Sequence, residues 1–355
     1  MGEVFIIASM NSPQTMEIKI NIFPWVDIVR FIAAFLVVLA HVADLVYLPW
    51  FWGAFYYSLS RVAVPIFFLT SGYLLLSRDE DPWSFFRKRV SKIALPFLAW
   101  SVIYEVVLKH PFEETGVTFQ SVARILIRIA ESPRYDHLWF FYALVGLYLM
   151  TPVLRVFVSK AKDSELLYFV ALWFLAKPIL LLVEGYTPIR NGFDLFYAGG
   201  YVGYFLLGYY LGRLQTHPRL LWGALAAFIA GLLATFAVFY FDIPPVNNEL
   251  ILRDYPSLNI VVMSLGAFLL LKAAGERAHA RLEHFSTISR PVIFGIYLIH
   301  PMLLHWMANE RMALGFDPFT VNAFIMMPFV TVIAFMICWL IVYLAVKVPI
   351  LRSIF

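Results

Sequence analysis

Apolar stretches of about 20 residues recur along the whole of this sequence, and they leave few alternatives for its fold. A helix of ~20 apolar residues crosses the hydrocarbon core of a bilayer, where only helices and closed barrels satisfy their backbone hydrogen bonds. The stretches occupy ten ranges: 25–48, 57–77, 93–109, 138–157, 166–184, 197–214, 220–241, 257–273, 291–309 and 320–346. The sequence therefore predicts an all-α polytopic membrane protein with about ten transmembrane helices.

The composition agrees with this fold class and narrows the function. Hydrophobic residues make up 62% of the 355 residues and charged residues 14%, whereas soluble proteins carry about 25% charged residues. The net charge of +4 matches the basic loops of membrane proteins, so we expect no nucleic-acid partner. Cys338 is the only cysteine, which excludes an intrachain disulfide and a cysteine metal site; we expect it to be a packing residue. No metal-ligand cluster is recognisable, and no metal is predicted.

Basic residues alternate between successive connections, and this predicts the orientation. One set of connections is rich in Lys and Arg, and the other is mainly acidic. The basic set consists of Arg78, Arg87, Lys88, Arg89, Lys92, Lys160, Lys162, Arg213, Arg219, Lys272, Arg277, Arg281, Arg290, Lys347 and Arg352. Basic connections stay on the cytoplasmic side. We therefore predict a cytoplasmic tail (1–24), one transmembrane domain (25–346) and a short cytoplasmic C-terminus (347–355).

The first span carries four ionisable residues, which is unusual inside hydrocarbon. Arg30 and His41 are eleven residues apart, three helical turns plus ~20°, so they share one face at a separation of ~16 Å. Asp27 and Asp44 lie close to the same face. A buried ionisable group costs at least ~2.5 kcal/mol and usually faces the protein interior. A single arginine near a helix end often reaches the headgroups and a single histidine is often structural, but the shared face favours a functional site with two levels.

Two further features lie at the predicted cytoplasmic side. Ser71 and Gly72 are about level with Arg30, and small residues there predict either close helix packing or a narrow passage for a slim ligand. The following loop contains Arg89 and Lys92, one helical turn apart. Such a basic loop fixes the orientation of the chain or contacts anionic membrane lipid. Alternatively, the two side chains bind one polyphosphate.

Several other polar features have structural interpretations. Glu105 and Lys109 are four residues apart, which predicts an ion pair within the third span. Residues 121–132 predict a short amphipathic helix on the membrane surface. His300 and His305 are five residues apart and do not share a helix face, so we interpret both as structural, with His300 capping a backbone carbonyl.

The chain resembles the acyltransferase 3 family of bacterial integral-membrane O-acyltransferases, in the subgroup that O-acetylates cell-surface polysaccharides such as enterobacterial common antigen. The first resemblance is Arg30, ten residues, then His41. The others are PIFFLTSGYLL (Pro65–Leu75), RVSKIALP (Arg89–Pro96), HLWFFYALVGLYLMTPVL (His137–Leu154) and FGIYLIHP (Phe294–Pro301). Each motif is weak alone, but their order covers essentially the whole chain.

The resemblance implies a multi-pass protein of the bacterial cytoplasmic (inner) membrane that uses acetyl-CoA from the cytoplasm. The acceptor would be a glycan or a lipid-linked sugar. The family's span-one Arg and His correspond to Arg30 and His41, and its basic pair for the CoA donor corresponds to Arg89 and Lys92. The family usually has two arginines in that pair. Lysine keeps the charge but loses the bidentate geometry.

These residues predict a mechanism of acyl transfer to a sugar hydroxyl. His41 is the candidate general base or transient acyl carrier, because an imidazole exchanges protons near neutral pH. Asp44, one turn further on, would orient its ring. Arg30 would hold a donor phosphate or polarise the thioester carbonyl. The slim pantetheine arm of the donor would pass Ser71 and Gly72.

A second class of function fits part of the same pattern. A transporter or flippase for a lipid-linked sugar or small solute also has buried charges and kinked helices, although we find no inverted repeat. A purely structural scaffold leaves the shared face of Arg30 and His41 unexplained. The sequence leaves open the acceptor, the acyl group (acetyl or succinyl), the side of transfer and homo-oligomerisation.

Overall fold

The structure is a computed structural model that describes residues 23–45, 50–109, 116–189, 199–243, 252–314 and 319–355, without the side chains of residues 90–91, 279–283 and 310–321. All regular structure in these residues is helical, which confirms the predicted fold class. The α-helices are α1 (Pro24–Asp44), α2 (Phe51–Ser60), α3 (Ala63–Leu76), α4 (Pro82–Arg89), α5 (Leu95–Lys109), α6 (Phe119–Glu131), α7 (Trp139–Lys160), α8 (Asp163–Phe174), α9 (Leu180–Tyr186), α10 (Val202–Arg213), α11 (Pro218–Tyr240), α12 (Leu258–Arg277), α13 (His279–Leu314), α14 (Phe319–Ala345) and α15 (Pro349–Arg352).

Nine helical stretches in the described residues are long and apolar enough to cross a membrane. Eight of the nine coincide with predicted spans to within a few residues at most boundaries; the one at residues 82–109 begins eleven residues before its predicted start at 93. The sixth predicted span, 197–214, differs, because it contains only the 12-residue helix α10. A helix of that length is ~18 Å long, which is shorter than ~30 Å of hydrocarbon, and residues 197 and 198 at the start of this span lie outside the described residues. Residues 1–22 of the predicted tail lie outside the described residues.

Helix α1 is the central helix of the bundle. It packs against α2, α3, α12, α13 and α14. Small and β-branched residues such as Val29, Ala33 and Val38 are buried along it, and these allow neighbouring helices to approach closely. Because helices surround α1, its ionisable residues face protein and internal cavities instead of lipid.

The second predicted span is broken into two helices. Helix α2 ends at Ser60 and α3 begins at Ala63, with a turn at Arg61 and Val62 between them. Pro65 explains the position of the break, because a proline ring clashes with the carbonyl four residues earlier, which belongs to Arg61. The break places the buried Arg61 side chain inside the bundle.

Helices α3 and α10 are in backbone contact. A Cβ atom added to Gly72 would lie 1.9 Å from the carbonyl oxygen of Phe205, and one added to Gly208 would lie 1.9 Å from that of Leu69. Only glycine permits this approach. Gly72 of α3 and Gly208 of α10 therefore allow the two helices to pack this closely.

The two ends of the described chain lie on the same side of the bundle. Phe23 and Phe355 line one cavity, and the C-terminal residues fold back onto α5, where the indole nitrogen of Trp100 donates to the carbonyl oxygen of Ile354 at 2.8 Å. This agrees with the predicted placement of both ends on one side of the membrane. That this side is cytoplasmic remains a prediction from the basic connections.

A buried carboxylate anchors the surface helix on the opposite side. The predicted amphipathic helix is confirmed as α6. Glu105 of α5 is fully buried and pairs with Arg134 at 2.8 Å and Arg128 at 3.2 Å. Its predicted partner Lys109 lies further away, at 3.9 Å. The two arginines therefore fix α6 and the residues after it against the bundle.

Candidate active site

Two cavities lie at the two ends of α1. The inner cavity, beside the predicted cytoplasmic face, has a volume of about 720 Å³ and is lined by Asp27 and Arg30 of α1. The outer cavity, of about 560 Å³, is lined by His41 and Asp44. The shared helix face predicted from the sequence therefore reaches two separate compartments.

The inner cavity is strongly cationic. Six basic side chains line it: Arg30, Arg78, Arg89, Lys92, Arg290 and Arg352. Asp27 is the one carboxylate among the described residues of this lining, and Arg290 pairs with it at 2.6 Å. Ser286 also donates a hydrogen bond to Asp27. This excess of positive charge in a concave site favours a polyanionic ligand.

Arg89 and Lys92 reach this cavity together because the helix widens between them. Helix α4 continues into a π-helical turn over Val90–Ala94 before α5 begins. Arg89 is buried with its guanidinium over the ring of Phe85, 5.1 Å from the centroid. Lys92 is exposed. The structure thus brings the two basic residues of the sequence motif into one cavity with Arg30.

The structure separates Ser71 from Gly72. Ser71 lines the inner cavity beside Arg30. Gly72 is absent from the described lining of both cavities, and it packs against Phe205 instead. Of the two alternatives that the sequence allowed, Gly72 follows the packing one.

A layer of aromatic side chains lies between the two cavities. Phe294 of α13 lines the inner cavity and Tyr297, one turn later, lines the outer cavity. The ring of Tyr297 lies 6.3, 5.4 and 5.7 Å from those of Phe67, Phe140 and Phe141, and all four are buried. We call these four residues the aromatic septum. It is thin, since Phe294 and Tyr297 differ by only ~4.5 Å along α13.

The outer cavity has a different chemistry from the inner one. Six aromatic residues line it: Tyr57, Tyr135, Trp139, Tyr201, Tyr255 and Tyr297. The lining also includes three carboxylates, Asp44, Asp136 and Asp254, and one arginine, Arg61. Large amphipathic rings with a few polar groups are typical of sites for uncharged polar molecules.

The aromatic residues of the outer cavity form an ordered stack. Trp139 lies 5.4 Å from Tyr255 and 5.5 Å from Tyr201, with small interplanar angles. The guanidinium of Arg61 lies 3.8 Å from the centroid of the Tyr255 ring and donates to the carbonyl oxygen of Arg253 at 2.5 Å. Burial raises the pKa of Tyr255, so this phenol keeps its proton and can donate a hydrogen bond.

Three histidines meet at the inner end of the outer cavity. The ring of His300 lies 5.0 Å from that of His41 and 5.6 Å from that of His137. His300 caps the carbonyl oxygen of Ile296 through Nδ1 at 3.1 Å, as the structural interpretation predicted. Neither His137 nor His300 was predicted from the sequence to belong to the site. The only sequence signal was that both lie in motifs of the family resemblance.

Asp44 and His41 line the same cavity without touching. Asp44 is exposed at the rim, and within the described part of the chain no hydrogen bond joins it to His41. His300, by contrast, packs directly against the His41 ring. The described residues also contain no cluster of three or more His, Cys, Asp or Glu side chains suited to a metal ion.

Comparisons with known proteins agree with the membrane architecture and point to one family. Residues 23–343 match the family described as "Acyltransferase domain". An "Amino-acid racemase" from Enterococcus faecalis is 24% identical over 297 residues, which is 79% of this chain but 40% of that protein. The "Succinoglycan biosynthesis protein ExoH" from Rhizobium meliloti (strain 1021) is 25% identical over 282 residues, 74% of this chain and 70% of that protein. No solved structure matches the chain.

Proposed function

The chain belongs to the acyltransferase 3 family, and we propose that it transfers an acetyl group from acetyl-CoA to a hydroxyl of a cell-surface or lipid-linked glycan. One observation carries the proposal. A single helix, α1, presents Arg30 to a cationic cavity and His41 to an aromatic cavity. A polyanionic donor and a sugar acceptor need these two environments.

The inner cavity suits the nucleotide end of coenzyme A. Its phosphates would contact Arg30, Arg89 and Lys92, and each charge-assisted hydrogen bond contributes roughly 1.5–3 kcal/mol. The pantetheine arm is slim and uncharged, so it can enter the layer around Tyr297 while the phosphates stay with the basic side chains. The thioester would then reach the outer cavity near His41, and no charge would cross the bilayer centre.

The outer cavity suits a sugar. A pyranose ring has an apolar face that packs on flat aromatic surfaces such as Trp139 and Tyr255, and its hydroxyls hydrogen-bond to carboxylates and phenols. The relative named for succinoglycan biosynthesis supports a polysaccharide as the acceptor class. The sugar hydroxyl would lie beside His41.

The chemical step requires a base and no other activation, because a thioester is already an activated acyl donor. His41 takes the proton of the sugar hydroxyl while the hydroxyl oxygen bonds to the thioester carbon. The tetrahedral intermediate collapses as its carbon–sulfur bond breaks. The imidazolium of His41 then returns the proton to the departing sulfur, which gives an O-acetyl sugar and free coenzyme A.

A covalent variant uses the same residue as an acyl carrier. In that route, His41 attacks the thioester carbon, coenzyme A leaves, and the sugar hydroxyl then attacks the acetyl-imidazole. Rapid acid quenching followed by mass spectrometry of the His41 peptide distinguishes the two routes. An acetylated peptide that disappears when acceptor is added supports the carrier, and its absence during turnover supports direct transfer.

The proposal is tested with the full chain purified into lipid nanodiscs. Release of free coenzyme A thiol from acetyl-CoA should depend on an added glycan or lipid-linked sugar, and the product should be acetylated by mass spectrometry. Succinyl-CoA in place of acetyl-CoA tests the acyl group. A transporter or flippase would release no thiol under any of these conditions, and this result would overturn the proposal.

The assignment of donor and acceptor sides is tested separately by labelling. Cys338 is the only cysteine and is buried, so a single introduced cysteine is a clean reporter. Ser84→Cys, exposed after α3, should react only with reagent on the cytoplasmic side, and Gln120→Cys, exposed on α6, only from outside. The reverse labelling pattern would place the cationic cavity on the outer side of the membrane and would contradict a cytoplasmic donor.

A further inference from the structure

We propose that His300 is a positioning residue for His41: its Nε2 accepts a hydrogen bond from one ring N–H of His41, so that the other ring nitrogen of His41 faces the outer cavity as the base. This inference rests on the proposed function, because it assigns a partner to the proposed base. The sequence predicted Asp44 as the partner of His41. The proposed partner, His300, lies 259 positions after His41 in the chain.

The orientation of the His300 ring is fixed by its own helix. Nδ1 lies 3.1 Å from the carbonyl oxygen of Ile296, one turn earlier on α13. A carbonyl oxygen only accepts, so Nδ1 must carry the proton of the neutral ring. The lone pair of His300 therefore lies on Nε2. This nitrogen is buried and has no hydrogen-bonding partner in the described part of the chain.

Of the two histidines whose rings contact His300, His41 is the closer, at 5.0 Å between centroids against 5.6 Å for His137. The two rings are tilted by 51°, so a rotation of the partly buried His41 ring would bring an N–H towards Nε2. His300 cannot rotate in the same way, because it is fully buried between His137 and Tyr297. The fixed ring of His300 therefore orients the movable ring of His41.

The consequence for catalysis is the choice of tautomer. A neutral imidazole has one N–H and one lone pair, and the hydrogen bond made by one nitrogen decides which nitrogen is the base. Without an acceptor behind it, His41 would populate both tautomers and several ring rotations. With His300 behind it, the basic nitrogen would face the acceptor hydroxyl at the start of each turnover.

The test uses replacements that separate the lone pair from the ring volume. His300→Phe keeps a buried aromatic ring but removes the acceptor nitrogen. It should lower kcat about 10–100-fold, the usual range for losing a group that orients a reactive imidazole, with the donor KM unchanged. His300→Gln restores a side-chain acceptor and should recover part of kcat. His284→Phe, an exposed position on the same helix and outside both described cavity linings, is the matched control and should not affect kcat.

A double variant distinguishes failure of this inference from failure of the proposed function. If the two histidines act as one unit, His41→Gln with His300→Phe should be no slower than His41→Gln alone. Absence of acceptor-dependent thiol release by the unaltered protein would defeat the proposed function itself, whereas an active His41→Gln protein would remove the base to which this inference assigns a partner. An inactive His41→Gln protein together with a fully active His300→Phe protein would overturn only the positioning role. Equal loss of kcat in His300→Phe and His300→Gln, with a matching fall in thermal stability, would also overturn it and indicate packing.

Discussion

The inner and outer cavities share the helices α1, α3 and α13 but differ in almost every chemical property. Among the described residues, six basic side chains and one paired carboxylate line the inner cavity, whereas aromatic rings, three carboxylates and a single arginine line the outer cavity. The aromatic septum of Phe67, Phe140, Phe141 and Tyr297 lies between them. One helix bundle therefore keeps opposite electrostatic environments within a few turns of each other.

This difference suggests how two unlike substrates can meet inside a membrane. Charges that hold a polyanion are best kept away from a proton-transfer centre, because nearby cations disfavour an imidazolium. The ~16 Å between Arg30 and His41 provides that separation on one rigid helix. A donor that extends a slim neutral arm through the septum can use both compartments at once.

The largest expected effect is the loss of the base in the outer cavity. His41→Gln keeps hydrogen bonding but cannot accept the proton, so the transfer rate should fall ~10²–10⁴-fold. Acetyl-CoA affinity should be nearly unchanged, because the phosphates bind at the other end of α1. Rate and affinity are measured by thiol release and by equilibrium binding in nanodiscs. Near-normal acetylation by the His41→Gln protein would exclude both a general-base role and an acyl-carrier role for His41.

The complementary change removes charge from the inner cavity. Arg89→Gln with Lys92→Gln should weaken acetyl-CoA binding by a few kcal/mol, since each charge-assisted contact contributes roughly 1.5–3 kcal/mol. The matched control is Arg87→Gln with Lys88→Gln, which removes the same charge from exposed positions of α4 outside the described lining of the cavity. If both double variants lost acetyl-CoA affinity equally and inserted poorly into the membrane, the basic loop would instead fix the orientation of the chain in the membrane.

The pair Ser71 and Gly72 gives a sharper test of where the inner cavity ends. Gly72→Ala places a Cβ atom against the backbone of α10, and such overpacking costs about 1–3 kcal/mol of stability. Gly146→Ala, where the structure shows open space, is the matched control and should leave thermal unfolding unchanged. Ser71→Ala should change donor affinity without changing stability. A Gly72→Ala protein of unchanged stability but weaker donor binding would indicate that Gly72 lines the passage for the donor.

The smallest expected effect distinguishes the cavities by ionic strength. Salt screens charges on a length scale of ~10 Å at 0.1 M. Raising the salt from 0.05 to 0.5 M should therefore increase the KM for acetyl-CoA a few-fold and leave the KM for a neutral acceptor nearly constant. Initial rates over both substrate concentrations give the two constants. A larger salt effect on the neutral acceptor would contradict the division between the cavities.

Local patterns were enough to predict most of the fold. Hydropathy located all nine long helices, although the one at residues 82–109 begins eleven residues before its predicted start, and the spacing of Arg30 and His41 predicted two levels on one helix face. Both properties are local, because a span is set by ~20 consecutive residues and a helix face by a fixed rotation per residue. The 12-residue length of α10 was not predictable in this way, since its apolar sequence continues beyond the helix.

The sequence by itself determined the membrane class, the family resemblance, the cationic inner motif and the position of His41. Only the tertiary structure decided which groups surround that histidine, that Gly72 packs against α10, and that an aromatic septum divides the site. His300 of α13 packs against His41 from 259 residues further along the chain, and His137, in the turn before α7, packs against His300 in turn. Contacts between residues so far apart in the chain depend on how the helices pack, and this packing cannot be predicted from the residue pattern within a single span.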